Sequence, residues 1–290
     1  MNLRQLKTMI AIAETGSFSA AGDAVGLSHS AVSLQVKALE DELGVVLIDR
    51  SRRPPVLTDR GIAVLDCCRR MIDLMDEMAA LGAEAGLIGS LSAGVVPSAM
   101  TNLVPAALAR LREQHPKLQV RMHTGLSSEL VAGVRSGELD VAISTAPERP
   151  LDGVEARTIV SEPLFVIAPV DRPETTSEEL LEALPFVWFS RKTWAGQQIE
   201  RHLLDLGVIV RHDMEVDSLV AITSLVSHGL GVSVVPRHPL APPLPDRIRA
   251  LPLGTPQLTR TVALLERPKN PKRRLTDALF GTLSDLSRKA

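Results

Sequence analysis

A multidomain chain is predicted: a helical N-terminal module with a short two-stranded wing, one long linker helix, and a C-terminal region of alternating strands and helices. Three observations predict it. The first 43 residues hold three helical apolar periodicities separated by glycine breaks; a three-and-four apolar spacing runs from Thr58 to about Ala85; and strand-length and helix-length patterns alternate from Leu91 onward. At 290 residues the chain is also too long for one ordinary core.

Composition sets the outer limits. A hydrophobic fraction of 45% and a charged fraction of 23% are those of a chain with enough apolar surface to fold. Aromatic residues are only 2%, with no Tyr, which argues against an aromatic platform for stacking bases. The net charge of -2 says little, because a small basic module is diluted by a larger acidic one. Met1 to Ile10 carries Arg4 and Lys7 inside an amphipathic pattern rather than an apolar export signal. No apolar run reaches the roughly 18 residues of a membrane span. The two cysteines, Cys67 and Cys68, are adjacent, which suits a reducing compartment. A cytoplasmic chain without a membrane partner is expected.

The N-terminal elements follow in order. Leu3, Leu6, Ile10 and Ala13 give a first helix one buried stripe, and Gly16 ends it. Ser17 caps a short second helix whose Ala20 and Ala21 allow close approach, and Gly26-Leu27-Ser28 makes the turn. Ser28 caps a third helix over His29 to Leu43, closed by Gly44. Val32, Val36, Leu39 and Leu43 form its core stripe. At about 100° per residue, Ser30, Ser33, Leu34 and Lys37 project from the nearly opposite face. Short hydroxyls beside one long cation fit a DNA major groove, although an exposed polar helix face looks the same in isolation.

Val45 to Asp49 and Val56 to Thr58 read as two strands around the basic tip Arg50-Ser51-Arg52-Arg53-Pro54-Pro55, completing a winged helix-turn-helix; a solvated loop is the alternative for the tip. In the following long helix Leu65, Cys68, Ile72, Met75, Ala79 and Gly82 make a seam that wants another helix. Gly86 to Ser90 is the hinge. Beyond it, Leu91 to Val96, Thr101 to His115, Leu118 to Thr124, Ser127 to Ser136 and Leu139 to Ser144 give a βαβαβ order. A second set follows: Leu164 to Val170, Ser177 to Leu184, Phe186 to Phe189, Ala195 to Leu206, Val208 to Val216, Leu219 to His228 and Val232 to Val235. A strand over Arg260 to Leu265 and a helix over Lys272 to Leu286 complete the chain.

Gly16-Ser17-Phe18-Ser19-Ala20-Ala21, Leu27 to Glu40 and Leu43-Gly44, with Arg53, Leu57-Thr58 and Gly61 downstream, resemble the LysR-type transcriptional regulators. The resemblance covers essentially the whole chain and is sharp over about the first 65 residues. It implies residues 1–58 as the DNA-binding domain, 59–86 as a dimerising linker helix and 87–290 as an effector domain. That domain would be a two-lobed α/β body of periplasmic-binding-protein type II architecture, with lobe one near 90–160 and 266–290 and lobe two near 161–265. Implied partners are double-stranded promoter DNA, a small-molecule effector, RNA polymerase and further copies of the chain, as a homodimer or homotetramer.

By the same resemblance, Ser28, His29, Ser30, Ser33 and Leu34 form the groove-facing set, and Lys37, Arg52 and Arg53 contact phosphates or the minor groove. Many members carry Gln, Pro and Arg where this chain has His29, Ser30 and Leu34. A bidentate arginine-guanine contact is therefore unavailable from residue 34, while a leucine there suits a thymine methyl. Some members sense peroxide through cysteines of the effector domain; here the thiols lie on the linker helix and read as buried structural residues.

For the effector, Ser98, Met100 and Thr101 follow the first C-terminal strand. Leu126, Ser127, Ser144, Ser190, Arg191 and Asp217 sit at other strand-to-helix switches, where open α/β sheets bind ligands. Each alone is equally an ordinary helix cap. Together, and by the family analogy, they imply a cleft for a small carboxylate or amino-acid-like effector, with Arg191 as counter-ion. No zincin, nucleophile-elbow, P-loop, dinucleotide-binding or C-x-x-C motif occurs. An enzyme, a metal site and a cofactor are accordingly not expected. The competing reading is a small-molecule binding protein of the same C-terminal fold with no transcriptional role.

Overall fold

A computed structural model of the chain describes residues 1–52, 54–81 and 87–289. Two compact units result, Met1–Gly89 and Ser90–Ala290. The first begins with α1 (Leu3–Thr15), α2 (Phe18–Val25) and α3 (His29–Leu43), each ended by a glycine, Gly16, Gly26 and Gly44, at φ of +65°, +68° and +65°. Left-handed backbone of this kind costs a glycine nothing, which is why the breaks are visible in the sequence. Asn2, Ser17 and Ser28 cap the three starts by accepting from the amides of Gln5, Ala20 and Ala31.

In α1, Leu6, Met9 and Ile12 are buried and Ile10 and Ala13 pack half-buried against the same core, so of the expected Leu3, Leu6, Ile10 and Ala13 only Leu3 is exposed. A polar contact joins them: the Thr8 hydroxyl donates to Gln35 Oε1 on α3 at 2.6 Å, which brings a threonine into the interface. On α3, Val32, Val36 and Leu39 are buried as expected, whereas Leu43 is exposed because it is the last residue before the turn at Gly44.

A two-stranded wing follows, β1 (Ile48–Asp49) against β2 (Val56–Leu57). It is shorter than the expected strands, and Val46 is exposed. The wing runs into α4 (Asp59–Leu81), whose Gly61 lies so close to the wing that an added Cβ would sit 2.1 Å from the Leu47 carbonyl oxygen. Leu65, Cys68 and Ile72 pack into the core of this unit rather than forming a free seam. The apolar face left open is instead Met71, Leu74, Met75 and Met78; Ala79 and Gly82 fall outside the described side chains. Of the two thiols, only Cys68 is buried, since neighbours on a helix diverge by about 100°. Cys67 is exposed, and its sulfur accepts from Arg70 Nη2 at 3.2 Å.

The second unit contains β3 (Gly89–Val95), α5 (Pro97–Met100), α6 (Leu103–Gln114), β4 (Leu118–Thr124), α7 (Ser127–Ser136) and β5 (Val141–Thr145). Then come β6 (Glu155–Pro169), α8 (Ser177–Ala183), β7 (Pro185–Phe189), α9 (Trp194–Asp205), β8 (Arg211–Val216) and α10 (Leu219–Ser227). β9 (Ser233–Pro236), β10 (Ile248–Pro252), β11 (Thr259–Glu266) and α11 (Arg273–Lys289) finish it. The main sheet runs β10-β6-β11-β5-β3-β4, with β9 also on β6, and β7 pairs with β8 in parallel.

The 15-residue β6 joins two lobes. Its first half, Glu155 to Pro163, pairs with β11, and its second half, Leu164 to Pro169, pairs with β9 and β10. Because β11 also pairs with β5 from Val262 to Glu266, residues 259–265 belong to the sheet of lobe one and not to lobe two as expected. The chain thus crosses between lobes at two adjacent points, where the Leu164 amide donates to the Leu258 carbonyl at 2.8 Å.

Beside this crossing lies a buried ion pair. Arg260 is 1% and Glu162 2% exposed; they are register partners on β11 and β6, joined by Nε to Oε2 at 3.0 Å and by a second bond from Nη2. The remaining nitrogen, Nη1, donates to Ser98 Oγ at 2.8 Å. Two charges are tolerated in this setting only with both nitrogens on Oε2 and the extra acceptor at Ser98. Close by, His238 is 2% exposed; its Nδ1 accepts from the Leu240 amide at 3.0 Å and its Nε2 has no partner among the described residues.

Two outcomes follow from these buried groups. Replacing Glu162 by Ala leaves the guanidinium uncompensated and lowers stability in denaturant titration by about 3–5 kcal/mol, the range for breaking one side of a buried pair. Burial, opposed by the nearby Glu162 charge, holds the His238 imidazole below its ordinary pKa. The unfolded chain therefore takes up this proton at a higher pH than the folded one. That contribution to stability is complete above about pH 6.5 and is lost as pH falls below it. Denaturant midpoints measured from about pH 7.5 down to pH 5.5 fall less steeply in a His238→Asn variant than in the parent.

Candidate functional site

The exposed face of α3 is the first candidate site. Ser28, His29, Ser30, Leu34 and Lys37 are exposed and Ser33 is half-buried, with Leu34 the most open at 70%. The burial of Val32, Val36 and Leu39 on the other side fixes which residues face outward. Ser28 and Ser30 share a hydrogen bond at 3.0 Å, and the His29 ring lies 5.8 Å from that of Phe18 on α2. The face therefore presents hydroxyls, one isobutyl group and one ammonium, a set able to meet base edges, a thymine methyl and phosphate.

Glu40 anchors the wing to this helix. Its Oε1 accepts from the amides of Leu47 at 2.8 Å and Ile48 at 3.2 Å, and its Oε2 pairs with Arg50 at 3.1 Å. The Thr58 hydroxyl adds a second tie, donating to the Val46 carbonyl at 2.8 Å while accepting from Gly61 N at 3.0 Å. At the tip, Arg52 is exposed and reaches Asp49 at 3.5 Å; Arg53 lies outside the described residues.

The second candidate site is a small cavity of about 40 Å³ between the lobes of the second unit. From lobe one it is lined by Val96, Pro97 and Ser98 after β3, by Gly125, Leu126 and Ser127 at the start of α7, and by Thr145 at the end of β5. Lobe two contributes Phe189 from β7, Thr193 and Ala195 at the start of α9, and Asp217 before α10. Ser98, Leu126, Ser127 and Asp217 are thus brought together. Met100, Thr101, Ser144, Ser190 and Arg191 are not among the lining residues.

Most of these absences have a local cause. Thr101 ends the one-turn α5, and its hydroxyl turns back onto the Ser98 carbonyl. Ser144 points to the opposite face of β5 from Thr145, so the alternation of a strand moves the site by one residue. Ser190 Oγ donates to Glu215 at 3.2 Å. Arg191, the expected counter-ion, pairs with Glu215 at 3.2 Å and Glu200 at 3.5 Å and lies over the Trp188 ring. Burial pushes the Glu215 carboxyl up, but the Arg191 amide and guanidinium with the Ser190 hydroxyl outweigh it and hold the pKa below its ordinary value. Glu215 stands opposite Trp188 across the β7–β8 pair, within reach of the arginine, and no reading of α9 alone reveals it. Phe189, Thr193 and Ala195 escape a reading of the sequence because only Ser190 and Arg191 of that loop stand out there for polar chemistry. Among the described residues no cluster of His, Cys, Asp or Glu could hold a metal ion.

Comparison with known proteins bears on both units. Residues 3–62 match the family model described as bacterial regulatory helix-turn-helix protein, lysR family, and residues 84–288 match LysR substrate binding domain. A RuBisCO operon transcriptional regulator of Allochromatium vinosum is 32% identical, over 82% of this chain and 80% of that protein. A full-length OxyR variant from Pseudomonas aeruginosa aligns over 98% of this chain and 94% of its own, with a TM-score of 0.71 and 25% identity. Full-length CbnR complexed with its target DNA aligns over 99% of this chain and 100% of its own, with a TM-score of 0.68 and 25% identity.

Proposed function

The chain belongs to the LysR family of DNA-binding transcriptional regulators with a substrate-binding domain, and from that premise we propose how its own residues carry the two activities. Ser28, His29, Ser30, Ser33 and Leu34 meet the edges of bases in a major groove, while Lys37, Arg52 and Arg53 hold phosphate or the minor groove. The observation that carries this reading is the joint exposure of Ser30, Leu34 and Lys37 opposite the buried Val32, Val36 and Leu39. A binding protein without a transcriptional role would have no use for the matched residues 3–62. The output is binding and not catalysis, and the setting is the cytoplasm.

Two copies pair through the open face of α4, where Met71, Leu74, Met75 and Met78 recur at helical spacing and stay exposed among the described residues of their own unit. A dimer, or a tetramer built from dimers, then sets two reading helices in successive grooves of a partly symmetric promoter site. A small effector enters the cleft lined by Ser98, Leu126, Ser127 and Asp217. Its differential affinity for the lobe arrangements shifts the spacing of the DNA-binding heads and with it the engagement of RNA polymerase.

Fluorescence anisotropy on DNA from the region upstream of the gene tests the reading face. Ser33→Ala and Lys37→Ala each weaken specific binding without changing thermal stability, and Lys37→Ala makes the salt dependence shallower by about 1, the share of a single phosphate neutralised by one lysine. Unchanged affinity in both variants would refute the assigned roles. Sedimentation tests the pairing face: Met75→Asp combined with Met78→Asp shifts the protein to a smaller assembly, while an unaltered distribution would move the interface elsewhere.

A further inference from the structure

The cavity between the lobes has a charge pattern that narrows its ligand. Ser127 is 2% and Thr145 1% exposed, both line the cavity, and neither hydroxyl bonds to another described residue. Ser98 Oγ accepts from Arg260, so its own proton is left to donate. Two helices of ten and twelve residues, α7 and α9, begin at this wall, where Glu129 accepts from the Leu126 amide and Thr193 from the Gly196 amide, each at 2.9 Å. One part of the cavity is therefore rich in donors and suits a carboxylate.

A simple carboxylate meets an obstacle. Among the described residues lining the cavity, Asp217 carries the only charge; it is exposed in the open cleft, and its side chain makes no ion pair or hydrogen bond with any described residue. The nearest buried cation, Arg260, is held by Glu162 through Nε and Nη2 and by Ser98 through Nη1. A second negative charge placed near Asp217 without a cation is repelled, more strongly as water leaves. A ligand that brings its own cation cancels that repulsion. The space of about 40 Å³ admits only a few heavy atoms beyond those in contact with the wall, and Leu126 and Phe189 make part of that wall apolar.

We propose that the effector is a small zwitterion, an α-amino acid with a short uncharged side chain, whose ammonium faces Asp217 and whose carboxylate faces Ser98, Ser127 and Thr145. This rests on the cleft being the effector site, as proposed above.

The test is calorimetric titration of the full-length protein with glycine, alanine and serine, the last two as both enantiomers, and with propionate and ethylamine as single-charge controls. At least one amino acid binds, and both controls bind at least about tenfold more weakly, as expected for loss of a charged hydrogen bond. Asp217→Asn weakens the amino acid by about tenfold or more and narrows the gap to propionate. Propionate binding as tightly as the amino acids, an unchanged affinity in Asp217→Asn, or no binding by any amino acid of the set would each overturn the zwitterion. A Ser127→Ala, Thr145→Val variant separates this from failure of the cleft itself. If propionate binds the parent as tightly as the amino acids and is lost in that variant, the cleft stands and the zwitterion falls; if amino-acid binding persists in it, the cleft falls as well.

Discussion

The guanidinium of Arg260 sits where β6 and β11 pass between the lobes, with Glu162 gripping two of its nitrogens and Ser98 the third. Much of the second unit follows from satisfying that group. The pair fixes the register of the two long strands at the point where their partners change, and it ties the loop after β3 to the same spot. The serine is thereby committed as an acceptor on one side, which leaves its proton for the cavity. Burial holds the His238 imidazole below its ordinary pKa although it lies within the field of Glu162.

How far these features can be read in advance depends on whether their cause is local. The three helices, their caps and their glycines are legible because each signal sits within four residues of its effect, from Asn2, Ser17 and Ser28 to Gly16, Gly26 and Gly44. The burial of Thr8 in α1 is not legible in this way, because its partner Gln35 lies 27 residues away. The first half of β6, with Glu155, Arg157 and Glu162 among its residues, lacks the apolar run that marks a buried strand. Glu162 and Glu155 are answered by Arg260 and Arg273, and Arg157 by Glu266 and Asp277, all from the far end of the chain. The cleft shows the same division. Ser98, Ser127 and Asp217 stand at helix starts that periodicity reveals, whereas the capture of Arg191 by Glu215 depends on two strands pairing across 24 residues.

In the first unit α4 has two apolar faces with different destinations. Leu65, Cys68 and Ile72 complete the core beneath α1, so the helix is part of the domain it was expected only to follow. Met71, Leu74, Met75 and Met78 lie on the other side, where thioether side chains tolerate a partner that repacks. A single heptad seam drawn through the sequence merges the two faces, because the residues of both recur at threes and fours.

Glu40 divides α3 into two stretches with separate tasks. The carboxylate that receives the wing amides stands three residues beyond Lys37, on the part of the helix that does not carry the serines. On the proposed reading, the outward residues Ser30, Ser33, Leu34 and Lys37 can therefore be exchanged for those of a relative with another operator preference while Val32, Gln35, Val36 and the carboxylate clamp stay in place, and a chimera that also replaces residue 40 would loosen its wing. Retargeting of this regulator, by breeding or by drift, has a natural cut point between Lys37 and Glu40.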